Sequence, residues 1–538
     1  MKKRFLIIPV LLLAASITAC GRKEKPYVDN RVPRDLNQVL TNEMSEFEEL
    51  RGLDERVERH MKEFNLRGAQ LCIMKNDSLV YAKGYGWADK ENDERMSPRN
   101  IMRMASISKL LTATGIIVLE DQGRLSLKDK VFGPHGILSD SVYTKAIKDT
   151  NYFKITVEDL LRHEAGFTSR VGGDPMFSTR SIMRNNRLTT PPDNETLLRI
   201  MLRRPLAYVP GTEAEYSNFG FMVASMVIEK VTGQDYGSWM QENVLLPALC
   251  KDFHIANNYY SERHPGEVRY YVPAKEEPIA EYNNSGRKVV RCYGGNDIHA
   301  LSGAGAWVGS APELARFVAS IDIRPSIKDI ISREGIHRMV EYFDEDTYSL
   351  GWNDTDPDKG WKRSGSFSGT NALIFYYPDG ECWIFMSNSS TWKAARIASD
   401  TEKLFIELRE QYSSLLPDQD LFFYPDMTED EETSVEGPAR KKKEKEAKKR
   451  DRNLFPSNLS KSKDGNPVKE NTSPKSKKDD LGDISEEAVE ILSTAAPAPA
   501  ASSAPKAPVK RQAGSKNGVN SVPPSSGVKV PTVLFPSE

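Results

Sequence analysis

The sequence predicts a mixed α/β (α+β) fold: one antiparallel sheet built from both chain ends and flanked by helices, with a mostly helical part inserted between them. Three observations predict it. Gly68 to Met74 and Leu79 to Tyr85 are apolar-rich runs separated by the polar Lys75-Asn76-Asp77-Ser78, and they read as a β-hairpin. Asn371 to Tyr377 and Glu381 to Met386 flank Pro378-Asp379-Gly380 and read as a second hairpin. The long stretch between them carries mainly helical spacing. Strands from distant parts of a chain share one sheet when the middle is set aside as an insertion.

The chain begins with Lys2, Lys3 and Arg4, then the apolar run Phe5 to Leu13, closed by Ile17-Thr18-Ala19-Cys20. The run is too short to span a bilayer comfortably, and the small residues at its end mark a cleavage signal. This end resembles the lipobox of bacterial lipoprotein precursors. The resemblance implies a signal peptide over residues 1–19, lipid on Cys20, and an anchor in the cell envelope, at the periplasmic face or the outer membrane. Residues 20–43 then read as a linker and 44–415 as the folded domain. Residues 427–538 pass from a basic block, Lys441 to Arg452, into a Pro-, Ala-, Ser- and Lys-rich stretch. Such a composition buries too little apolar surface to offset its ordering entropy, so a disordered tail is expected.

Within the domain, Phe47, Leu50, Leu53, Val57 and Met61 recur at helical spacing, predicting a helix over 44–64. Thr156 with Asp159 three residues on predicts a capped helix start. Phe221 to Val231, stopped by Thr232-Gly233, and Pro312 to Ile321 predict two more helices. Thr391 to Tyr412 predicts a closing helix. The formal net charge of −2 gives no global pull toward nucleic acid, and none is expected as a partner. Cys72, Cys250, Cys292 and Cys382 show no metal-ligand spacing, so neither metal nor cofactor is expected.

Chemistry concentrates in three stretches. Ser106-Ile107-Ser108-Lys109 opens an apolar helix ending near Gly123, and almost one turn brings Lys109 round to the serine face. Ser-x-x-Lys alone is weak, since Ser285/Lys288 and Ser390/Lys393 match it too; the setting raises Ser106 above them. Tyr216-Ser217-Asn218 follows the turn Pro210-Gly211-Thr212 and stands just before a helix. A lysine ammonium nearby favours the tyrosine phenolate, which can then take the serine proton and return it to a leaving group. Asn218 offers an amide to a substrate carbonyl. The third stretch, Arg363-Ser364-Gly365-Ser366, lies on a small-residue strand able to flank a substrate. Backbone N–H groups of Ser106 and Ser366 would together form an oxyanion hole. His163 has no Gly-x-Ser-x-Gly nucleophile elbow to serve and reads as a local cap or packing residue.

Ser106-x-x-Lys109, Tyr216-x-Asn218 and the Gly365 strand resemble the three motifs of the class C β-lactamase and D-alanyl-D-alanine peptidase family, which is penicillin-binding-protein-like. Val80 to Gly86, Leu160 to Phe167, Pro210-Gly211-Thr212 and Leu350-Gly351-Trp352 resemble family segments in the family's order, over roughly 45–412. The resemblance implies a β-lactamase-like fold and an exported serine hydrolase that forms an acyl-enzyme through Ser106. Its substrate would be an amide or ester: a β-lactam, a D-Ala-containing peptide, peptidoglycan-derived or not, or a simple ester. Arg363-Ser364-Gly365 departs from the family's Lys-Thr-Gly or His-x-Gly. Arg363 keeps a charge for a substrate carboxylate but cannot shuttle a proton. The alternative is a catalytically idle module on the same scaffold that binds cell-wall peptide or protein. Specificity is expected from Gly172 to Pro192 and Ser261 to Asp297.

Overall fold

The computed structural model describes residues 31–343 and 347–425. The expected signal peptide, Cys20 and the expected tail over 427–538 lie outside the described residues.

The sheet is antiparallel and takes its strands from both ends of the fold. Strands β1 (Gly68–Lys75), β2 (Ser78–Asp89) and β3 (Glu94–Arg95) come early. Strands β4 (Trp361–Phe367), β5 (Thr370–Tyr376) and β6 (Glu381–Ser387) come late. The spatial order is β3-β2-β1-β6-β5-β4, so the two groups meet where β1 pairs with β6, Cys72 opposite Ile384. Asn76 and Asp77 turn β1 into β2 with φ of +49° and +65°, the left-handed pair that tight hairpins use. Strand β4 forms an edge, with Gly365 opposite Ala372 of β5.

Both faces of the central strands are buried, which explains their nearly continuous apolar runs. On one face Leu71, Ile73, Leu373, Phe375, Trp383 and Phe385 meet helix α1 (Arg51–Glu63) through Leu53 and Val57. The same face meets helix α5 (Ile397–Tyr412) through Leu404, Phe405 and Leu408. On the other, Cys72, Met74, Ile374, Ile384 and Met386 join a larger core. That core includes helices α2 (Ser108–Asp121), α3 (Asn218–Thr232) and α4 (Ala311–Ala319). The sheet therefore separates the terminal helices from the inserted part. Cys72, Cys250, Cys292 and Cys382 are all buried and free.

Three boundaries differ from the sequence reading. The helix expected from residue 44 begins at Arg51, because Asn42 and Ser45 face β2 instead. Their side chains accept the N–H groups of Gly84 and Ala82 at 2.8 and 2.9 Å. The closing helix begins at Ile397 rather than Thr391, because Ser389 bridges to Tyr271 and the Ser390 N–H donates to the Tyr271 carbonyl. Residues 33–43, read as linker, are packed onto the fold. Pro33 bridges Phe423, and Leu36 and Leu40 are buried in the same core as Leu421, Phe422 and Phe423. Leu36 and Leu40 are four apart, an apolar helical pair that the polar surroundings mask.

Candidate active site

Ser106 stands at the mouth of helix α2. The chain approaches through Ala105, whose φ of +48° is unusual for a residue with a side chain. A single 3-10 turn, Ala105–Ile107, then leads into α2. Edge strand β4 lies directly against this turn. A Cβ at Gly365 would come within 2.2 Å of the Met104 carbonyl oxygen and 3.1 Å of the Ser106 nitrogen. Glycine is therefore required there to let the strand backbone lie this close to the nucleophile turn.

Lys109 is fully buried, and its Nζ donates to three oxygens. These are Ser106 Oγ at 3.3 Å, Asn218 Oδ1 at 2.7 Å and the Ala304 carbonyl at 2.6 Å. An ammonium has three donors and no acceptor, so this surrounding suits the charged form. Burial, together with the Arg363 charge, lowers its pKa to about 8. Tyr216 Oη lies 2.6 Å from Ser106 Oγ. Burial pushes its phenol up, but the Lys109 and Arg363 charges and the hydrogen bond shared with Ser106 outweigh that and hold it below the ordinary phenol value. The Lys109 ammonium also lies 4.7 Å from the centre of the Tyr216 ring.

Tyr216 and Asn218 are delivered together by the start of α3. Ser217 caps that helix, accepting from the Gly220 N–H at 3.0 Å. His163 backs Tyr216 from behind. Its ring centre is 4.6 Å from the Tyr216 ring, and its Nδ1 accepts from the Ser217 N–H at 3.1 Å. Burial, with the Lys109 and Arg363 charges nearby, holds its pKa well below the ordinary imidazole value, so it stays neutral. His163 is a packing and hydrogen-bonding brace for Tyr216.

Two predicted side chains are placed differently from their expected use. Arg363 does not face an incoming carboxylate. Its side chain is fully buried, and Nε donates to the Ser106 carbonyl at 2.8 Å. Nη2 donates to the same carbonyl and lies 3.4 Å from Tyr216 Oη. The longer Arg reaches past the strand surface and under the nucleophile. The Asn218 amide is held at both ends, Oδ1 by Lys109 and Nδ2 by Asp174 Oδ2 at 2.7 Å. Ser364 points its hydroxyl toward Asn353 Oδ1 at 3.2 Å, and Ser366 Oγ donates to Asn371 Oδ1 at 3.0 Å.

Asp174 escaped the motif reading. Its one local signal is Gly172-Gly173-Asp174-Pro175, an Asp able to cap a proline-led turn. It does so, its Oδ1 accepting from the Met176 N–H at 2.9 Å.

The family signature described as Beta-lactamase matches residues 53–405, well over half of the chain. The chain belongs to the beta-lactamase family. Two curated relatives of this beta-lactamase-family chain match it at low identity. Protein flp of Staphylococcus aureus (strain MW2) is 26% identical over 236 residues, 43% of this chain and 43% of flp. The match thus spans less than half the length of flp. The putative penicillin-binding protein PbpX of Bacillus subtilis (strain 168) is 23% identical over 66% of this chain and 79% of PbpX. Two solved structures share the fold at 18% identity. EstCE1, a hydrolase with promiscuous acyltransferase activity, has a TM-score of 0.51, covering 67% of this chain and 98% of EstCE1. The D-amino acid amidase of Ochrobactrum anthropi SV3 has a TM-score of 0.50, covering 68% and 98%.

Proposed function

We propose that this chain is a serine hydrolase that forms an acyl-enzyme through Ser106 on an amide or ester substrate. One observation carries the reading: Ser106 Oγ stands within hydrogen-bond reach of both Tyr216 Oη and Lys109 Nζ, at 2.6 and 3.3 Å. A serine hydroxyl needs such a neighbour to act as a nucleophile at neutral pH.

Tyr216 is the proton acceptor in this scheme. Lys109 has all three donors engaged and acts through its charge, which stabilises the phenolate. Ser106 Oγ attacks the substrate carbonyl carbon while its proton passes to the Tyr216 phenolate. The carbonyl π pair moves onto oxygen, held by the N–H groups of Ser106 and Ser366. Collapse of the intermediate breaks the bond to the leaving alkoxide or amine, which takes the proton from Tyr216. Water then attacks the Ser106 ester and gives one proton to Tyr216. The second collapse returns that proton to Ser106 Oγ and releases the acid.

The names of the distant structural relatives, a D-amino acid amidase and a hydrolase with acyltransferase activity, agree with amide or ester chemistry. We place the enzyme at the cell envelope, tethered by lipid on Cys20. Replacing Cys20 with Ala is expected to release it into the soluble fraction of its own cells.

Hydrolysis of p-nitrophenyl acetate tests the central reading. Ser106→Ala is expected to reduce it to background in a protein with unchanged circular dichroism. Tyr216→Phe is expected to lower it by about 10²–10⁴-fold. Turnover that survives Ser106→Ala would refute the assignment. A folded wild-type protein that binds a peptidoglycan fragment but turns over no ester or amide would favour the idle-module reading.

A further inference from the structure

We infer that Asp174 selects the substrate: the site is built for an acyl donor that carries an ammonium group beside its scissile carbonyl, rather than a carboxylate. The inference rests on the serine-hydrolase reading and adds a substrate class to it.

The first support is what the cations near Ser106 are already doing. Lys109 is buried with three oxygen partners. Arg363 is buried with Nε and Nη2 on the Ser106 carbonyl. Its Nη1 has no hydrogen-bond partner but is sealed from solvent with the rest of the side chain. A substrate carboxylate reaching for either charge would first have to move the nucleophile's own supports.

The second support is where Asp174 stands. Lys109 Nζ bonds Asn218 Oδ1, and Asn218 Nδ2 bonds Asp174 Oδ2, so Asp174 is two side-chain bonds from the lysine beside Ser106. The Asn218 amide donor, which would otherwise meet a substrate carbonyl or carboxylate, already has an anion on it. A second anion there would meet like charge. A cation would not. The Asp174 carboxylate accepts from the Met176 N–H on Oδ1, from the Asn218 side-chain amide on Oδ2 and from the Asn218 backbone N–H. Two carboxylate oxygens accept about four hydrogen bonds between them, so room is left for a substrate N–H.

The third support is that the carboxylate is held in place on a loop that meets the substrate strand. Asp174 caps the Pro175–Phe177 turn, which fixes its side chain. The ring of Phe177 in that turn lies 5.7 Å, centre to centre and tilted, from that of Phe367, the last residue of β4. The loop carrying Asp174 thus meets the end of the strand carrying Ser364 and Ser366. Asp174 is half-buried rather than sealed. Burial also pushes its carboxyl up, against the pull of Asn218 and Lys109, so a bound ammonium would relieve a carboxylate short of counter-charge.

Three phenyl esters of similar size test this: alanine (ammonium), propionic acid (neutral) and succinic acid (carboxylate). Phenol release is followed at mildly acidic pH, where the amino ester is a cation, with Ser106→Ala as the blank. The wild type is expected to prefer the alanine ester over the propionyl ester, and the propionyl over the succinyl ester, in kcat/KM. Asp174→Asn keeps an acceptor for Asn218 but loses the charge. It is expected to cut the alanine-to-propionyl ratio by at least about tenfold, a typical effect of removing a charged hydrogen-bond partner. Asp174→Glu should restore part of that ratio. A wild-type preference for the succinyl ester would overturn the inference, whatever the variants do. So would an Asp174→Asn variant in which all three esters slow together with the ratio unchanged, since that is what a mere brace for Asn218 would show. No ester turnover above the Ser106→Ala blank would instead remove the hydrolase reading, and this inference with it.

Discussion

Lys109 carries the pH behaviour at the scale of single residues. The reactive arrangement has Tyr216 ionised and Lys109 charged. Activity should therefore rise with pH as the phenol ionises, below its ordinary range, and fall as Lys109 loses its proton near its pKa of about 8. A kcat/KM profile that rises through that pH and stays high would instead make neutral Lys109 the base; the two limbs belong to the pair rather than to either group. Gly365 is the second test. A Cβ there would press on the Met104 carbonyl at 2.2 Å, moving the strand or the nucleophile turn. Gly365→Ala is expected to cost about a hundredfold in kcat, the scale of a small misplacement of reacting groups. Most of the site is legible in the sequence at this scale, because Ser106, Lys109, Tyr216 and Gly365 belong to short motifs whose spacing is set by one turn or one strand. Asp174 is not, since its partner Asn218 is far away in the chain and only folding joins them. The burial of Arg363 is equally unreadable: a charge in a motif does not say which way its side chain runs.

Helix α3 shows what a single element contributes. Its N-cap, Ser217, lies between the two site residues Tyr216 and Asn218, so capping and catalysis share one backbone turn. Ser217→Ala removes the acceptor for the Gly220 N–H. It is expected to lower stability by about 1 kcal/mol in urea unfolding, and to slow hydrolysis as the turn loosens. An unchanged unfolding midpoint would show that the cap contributes nothing. The capped start at Thr156 is legible because both halves of the reciprocal bond are local: Thr156 accepts from the Asp159 N–H, and Asp159 accepts from the Thr156 N–H. The start of α5 is not, because what holds Ser389 and Ser390 out of helix is a distant Tyr271 backbone.

For the whole molecule, the two ends of the fold close on each other. Leu40 is fully buried in the same core as Phe422 and Phe423, so Leu40→Ala is expected to cost about 3 kcal/mol despite standing outside the catalytic sequence motifs. A surface-like cost, within a few tenths, would contradict that packing. A second joint ties the β1–β2 turn to the chain after α4. Burial pushes the Asp322 carboxyl up to about 8, and Asp77 and Asp329 beside it are raised too, with Arg324 and Tyr376 facing the group. A carboxyl raised in the fold holds its proton more tightly there than in the unfolded chain. Its contribution is full below the unfolded value and is lost as pH rises through the folded one. Stability should therefore fall between mildly acidic pH and about pH 8, and Asp322→Asn should flatten that slope. The two-ended sheet is legible because both hairpins carry their own turns; the joints between distant segments are not.

The measurement that most directly tests the central claim is peptide mapping by mass spectrometry after a fluorophosphonate probe is added to the folded protein. The predicted result is one stoichiometric adduct on the peptide containing Ser106, absent in Ser106→Ala and slowed in Tyr216→Phe. An adduct on another serine, or undiminished labelling in Ser106→Ala, would contradict it.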